Sequence, residues 1–170
     1  MVLDNKIVRR YFSWALDHTK ESHLRILSDV PLFKGMGNKL LRKLLIDLIE
    51  KTYTTGDVIF HEGDSGKALY VVLEGSVKIT KRSNSGDRTL AVLGPGSHFG
   101  ELALINQCAR FATAVAEKES LLLIMYKSYF DHLIRGNNAI SSKILLNLAE
   151  ILSSYIYCDQ PESKEKKTSP

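Results

Sequence analysis

Between Phe99 and Thr113 the chain places a glycine, a carboxylate and a guanidinium at spacings that could hold an anion. Gly100 permits a left-handed backbone or a close backbone approach. Glu101-Leu102-Ala103-Leu104-Ile105 then supplies helix-forming residues for one or two turns. A helix that opens just after a glycine offers free N–H groups, which attract anions. Arg110 sits at the far end of the same excursion and could return to that anion with two parallel hydrogen bonds. Glu101 would be repelled by an anion unless its carboxylate accepts from a hydroxyl. A phosphate and a hydroxyl on one small molecule suggest a nucleotide with its ribose. On this motif alone a plain Glu101–Arg110 surface ion pair, with Gly100 as a turn residue, competes evenly.

The flanking sequence must position this excursion. Ile7, Val8, Tyr11, Phe12, Ala15 and Leu16 mark one face of a helix over about Asp4–His18. Leu40, Leu41, Leu44, Leu45, Leu48 and Ile49 mark a second helical pattern, and Pro31 and Gly35 break the segment between them. From Lys51 to Leu123 short apolar runs alternate with glycine turns. The expected strands are Val58–His61, Leu69–Leu73, Val77–Lys81, Thr89–Leu93, Thr113–Ala116 and Leu121–Tyr126. Strands so short suggest a barrel or sandwich, and a closed roll would remove exposed edges. Helical patterns return with Tyr129, Phe130, Leu133 and Ile134, and again from Ile140 to Ile156. The expected class is mainly β, an antiparallel β-roll (a jelly-roll-like barrel) with N- and C-terminal helices. The expected division is a helical extension over 1–29, the roll over 30–135, a C-terminal helix over 136–158 and a disordered tail over 159–170.

The 170 residues are enough for one domain with a real core, and 44% hydrophobic with 25% charged residues is ordinary for a globular chain. Lys plus Arg is 23 and Asp plus Glu 19, a net charge of +4. The two signs are interspersed, and Lys164, Lys166 and Lys167 share the tail with Asp159, Glu162 and Glu165. No stripe of one sign marks a nucleic-acid face. Cys108 and Cys158 make no disulfide framework. No run is long enough for a membrane span, and the N-terminus lacks the form of a secretory signal. The expected compartment is the cytoplasm.

The stretch Phe99-Gly100-Glu101-Leu102-Ala103-Leu104, with Arg110 nine residues after Glu101, resembles the phosphate-binding cassette of the cyclic nucleotide-binding domain family. Gly56-Asp57-Val58-Ile59-Phe60, Glu62-Gly63-Asp64 and Leu69 to Val77 match the same family in order, and the resemblance covers about Val30 to Leu133. It implies that Arg110 binds a cyclic phosphate. It implies that the N–H groups of Leu102 and Ala103, with that of Phe111 or Ala112, complete the cradle. Glu101 and the backbone of Gly100 would take the ribose 2′-hydroxyl, Leu90 and Ala91 would line the base pocket, and Tyr155 or a nearby Ile or Leu would lid it. The chain departs from the family at Phe111, where a small residue is usual, and at Ala109, where proline is frequent.

The function so implied is a regulatory sensor of cAMP, in preference to cGMP, that relays binding through its flanking helices to a protein partner or a dimer mate. The nucleotide is its ligand; no cofactor, metal or catalytic residue is assigned, and the chain is not expected to be an enzyme. No DNA-binding, pore or pseudosubstrate segment like those of family members is expected in this sequence. A second reading is an interaction module on the same fold whose pocket is filled by Phe111. A third is a cupin-like metal enzyme. It is disfavoured because His61 stands alone between Phe60 and Glu62, with His98 far off in sequence. Cys108 reads as a small filler of the cassette loop.

Overall fold

The computed structural model describes residues 20–158 apart from 85, 107, 137 and 138. The helix expected over Asp4–His18 and the tail over 159–170 lie outside the described residues. The first described element, α1, is helical over residues 20–29 and buries Leu24 and Leu27, three apart on one face. A single 3-10 turn follows at Pro31–Phe33, with the proline at its first position, where the ring fixes a suitable φ. Helix α2 spans Asn38–Leu45 and buries Leu41 and Leu44.

The helical pattern expected to run on through Leu48 and Ile49 stops at Leu45. Ile49 instead opens strand β1 (Ile49–Tyr53), whose five residues pair in register with Ile124 back to Ser120. A ladder with a buried strand outweighs the local 3.6-residue spacing. The other strands are β2 (Val58–Phe60), β3 (Ala68–Glu74), β4 (Val77–Ser83), β5 (Gly86–Leu93), β6 (His98–Phe99), β7 (Thr113–Ala116) and β8 (Ser120–Tyr126). Helix α3 (Leu102–Ile105) stands between β6 and β7, and α4 (Lys127–Arg135) and α5 (Ala139–Cys158) follow β8. Sequence reading located six of the eight strands and missed β1 and the two-residue β6.

The strands form the expected antiparallel β-roll as two sheets ordered β1-β8-β3-β6 and β2-β7-β4-β5, which do not close into one barrel. Open edges are blunted instead. β6 has two residues and β2 three, β1 carries Glu50 and Lys51, and β5 carries Asp87 and Arg88.

Strand β3 is buried on both faces and shows why there are two cores. Val72 faces the second sheet, with Tyr53, Val77, Phe99, Ala114 and Leu122, and Tyr70 packs beside them. Leu69, Val71 and Leu73 face the helical layer, where Leu27, Phe33, Leu44, Phe130, Ile144 and Leu148 close over them. Helix α5 buries Ile140, Ile144 and Leu148 at four-residue spacing. Asn147 lies on the same buried side and donates from Nδ2 to the carbonyls of Leu32 (2.9 Å) and Lys34 (3.0 Å). That hook fixes α5 against the 3-10 turn.

Candidate functional site

Arg110 enters its site from a backbone held on both sides. Its N–H donates to the Asp64 carbonyl at 2.7 Å, and its carbonyl accepts from Gly63 N–H at 2.9 Å. The side chain is only 8% exposed. Nη2 donates to the Ala68 carbonyl (2.7 Å) and Nη1 to that of Gly100 (3.1 Å). The guanidinium carbon lies 4.1 Å above the Phe60 ring centroid. Phe60, Tyr70 and Phe99 make an aromatic floor, with Tyr70 and Phe99 stacked at 5.1 Å. Burial pulls the Arg110 pKa down against the opposing pull of Tyr70, Glu101 and Asp64. Nε is buried and has no hydrogen-bond partner among the described residues. A buried cation with a spare donor is completed by an anion.

Gly100 makes this geometry possible. Its φ is +77°, and a Cβ there would stand 2.5 Å from Arg110 Nη1 and 3.1 Å from the Ala68 carbonyl. Any side chain would push the guanidinium off its anchor. Helix α3 starts next, with Glu101 at its N-cap position and 7% exposed. Glu101 Oε1 accepts from the Tyr155 hydroxyl at 3.1 Å, so α5 reaches across to the cassette. Burial and the neighbouring Glu101 push the Tyr155 phenol up to about 12, which keeps it a donor at neutral pH. Ala103 N–H is turned to the Gly100 carbonyl at 3.2 Å, so the expected cradle donor is engaged within the turn.

Arg110, Glu101 and Tyr155 share one cavity of about 430 Å³. Its walls include the predicted Gly100, Leu102, Ala103, Phe111 and Ala112. Leu90 and Ala91, expected to line a base pocket, do not line it. Both lie on β5. Ala91 pairs with Ile79 on β4, and it is the longer Ile79 side chain that forms the wall. The ladder is irregular just beyond this pair, and Leu90, next to the irregularity, is 43% exposed. Phe60, Ile79, Phe99, Cys108 and Ala109 complete the lining and were not assigned from sequence. Alternation along β4 inward from Val77 could have pointed to Ile79; the aromatic floor carried no local signal. Phe111 is 65% exposed and stands at the mouth, with Lys81 Nζ 3.2 Å over its ring, and leaves the cavity open. His98 lies on β6, while His61 follows β2 and faces a separate hollow with Glu62 and Arg82.

The family model described as "Cyclic nucleotide-binding domain" matches residues 50–137, just over half of the chain. The chain belongs to the cyclic nucleotide-binding domain family. The "Cyclic AMP receptor protein" of Thermus thermophilus is 36% identical over 123 residues, 72% of this chain and 57% of that one. The N-terminal domain of a transcriptional regulator from Streptomyces coelicolor superposes with a TM-score of 0.72 at 32% identity, over 82% of this chain and 99% of that one. The regulatory domain of Toxoplasma gondii PKA, solved with cAMP, gives a TM-score of 0.63 at 31% identity, over 68% of this chain and 44% of that one. The chain thus spans a little more than half of the Thermus receptor. Two sheets with flanking helices are the β-roll of this cyclic nucleotide-binding family. No helix among the described residues is long and apolar enough to cross a membrane.

Proposed function

We propose that this cyclic nucleotide-binding domain is a ligand-operated sensor that takes cAMP in preference to cGMP. The observation that carries the reading is the buried Arg110 guanidinium, anchored on two carbonyls with Nε unpaired, in one cavity with Glu101. The cyclic phosphate would sit on Arg110 and the ribose hydroxyl would donate to Glu101. The base would lie along Ile79, Phe111 and Tyr155. Support for cAMP comes from the names of two relatives and from residue 111, which offers no hydroxyl to a guanine. Binding and relay, rather than catalysis, are the proposed role, inside the cell.

The relay follows from the two oxygens of Glu101. Oε1 holds Tyr155 and Oε2 is left for the ligand, so one carboxylate senses both the nucleotide and α5. A ligand that strengthens this arrangement shifts α5 toward its docked position. Asn147 transmits that position to the 3-10 turn, and the moving helices would meet a protein partner or a second copy. The module with a Phe111-filled pocket gains no support from a ring that lines the mouth and leaves the cavity open.

Isothermal titration of the chain with cAMP and cGMP tests the proposal. The expected result is saturable binding with cAMP tighter than cGMP. Arg110→Ala, which removes a charged hydrogen bond of about 1.5–3 kcal/mol, should weaken it more than about tenfold. An unchanged affinity in that variant would move the phosphate elsewhere.

A further inference from the structure

The β4–β5 hairpin sorts its charges by face. Ile79 lines the cavity, and Lys81, two residues on, leaves β4 on the same side. Its ammonium rests 3.2 Å over the Phe111 ring at the cavity mouth. Arg88 is the direct partner of Lys81 in the ladder, so it projects from that side too. The next pair, Arg82 with Asp87, lines a separate hollow on the opposite face. The outward pair therefore carries opposite charges and the cavity-side pair carries like charges. Like charges directly opposed weaken a sheet. Among the described residues neither Lys81 nor Arg88 has an acidic partner. The Arg110 guanidinium is a separate positive centre, held under the Ala68 and Gly100 carbonyls. Phe111, the residue after Arg110, carries Lys81, so two cationic centres adjoin without merging.

We propose that Lys81 and Arg88 form a second anion subsite at the mouth, so that besides the mononucleotide held by Arg110 the chain also takes a cyclic dinucleotide, whose second phosphate the rim would hold. This rests on the reading that Arg110 holds the first phosphate. A cyclic mononucleotide has one phosphate, which Arg110 takes, and the rim stays uncompensated. A second nucleotide joined by a phosphodiester delivers its charge to the rim. The cavity, at about 430 Å³, is of a size for one nucleotide unit, so the second lies outside.

The test is titration of the full chain with cAMP, cGMP, cyclic di-AMP and cyclic di-GMP. The same titrations are run on Arg110→Ala and on the double variant Lys81→Gln/Arg88→Gln. A cyclic dinucleotide should bind at least about tenfold tighter than the mononucleotide of the same base. The double variant should remove that advantage and change mononucleotide affinity less than about threefold. Suppose mononucleotides bind in an Arg110-dependent way but no dinucleotide exceeds them, or the double variant keeps the advantage. Either result overturns the subsite and leaves the first site standing. No binding of any nucleotide to the folded chain overturns both.

Discussion

At the scale of single residues, the site is built from groups placed where they are uncomfortable without a ligand. Arg110 is buried with a donor to spare; on β6, outside the cavity lining, His98 Nε2 is also buried with no partner among the described residues. Burial holds the His98 imidazole below 6.5, against the opposing pull of Glu101. The unfolded chain therefore takes up this proton first as pH falls. The stability contributed by neutral His98 is full above about pH 6.5 and is lost as pH drops toward the folded-state value. Thermal melts over this range should show the midpoint falling on acidification, and His98→Gln should flatten that fall. An equally steep decline in the variant would assign it to other groups. Arg110, Glu101 and Gly100 were legible in sequence because cassette residues lie close together along the chain. Ile79, Phe60 and Tyr155 were harder, because they reach the cavity from three separate elements. For Tyr155, helical periodicity alone could not separate a lid from a core residue.

At the scale of elements, α5 meets the cavity through Tyr155. The Tyr155–Glu101 bond is half exposed at its tyrosine end, which softens it below a buried charged hydrogen bond. Tyr155→Phe keeps the ring over the cavity and removes only the donor. Nucleotide should then leave several-fold faster, with its association rate little changed, as stopped-flow displacement of a fluorescent analogue would record. Equal release rates would mean that α5 is held without this bond. Most element types were legible, since glycine turns and alternating apolar residues separate strands cleanly from the flanking helices. The misplaced boundary at Ile49 has a physical cause. Leu44, Leu45, Leu48 and Ile49 keep helical spacing, yet pairing of Ile49–Tyr53 with β8 decides the outcome. Such long-range pairing leaves no local mark, and neither does the failure of eight strands to close into one barrel.

At the scale of the whole molecule, the helices cover one sheet and leave α5 with a second apolar side. Leu145 and Leu146 are 41% and 56% exposed, next to the exposed Ala149. If this side meets a second copy, as the proposed relay requires of some partner, sedimentation should show a dimer. Leu145→Glu with Leu146→Glu should then return it to a monomer that still binds nucleotide. A wild-type monomer at high concentration would rule out a second copy on this surface.

The Asn147 hook and the Tyr155 phenol stand on one continuous helix, eight residues apart. Each residue of an α-helix advances about 1.5 Å and turns about 100°. Substitutions between them can be absorbed one side chain at a time. A single inserted or deleted residue cannot, because it swings the phenol roughly a quarter-turn away from Glu101 while the hook still holds. Over long divergence this stretch should therefore drift in composition but keep its length. The same phase relation offers a handle to protein engineers: one added residue here would part α5 from Glu101 while leaving the Arg110 anchor on the Ala68 and Gly100 carbonyls intact.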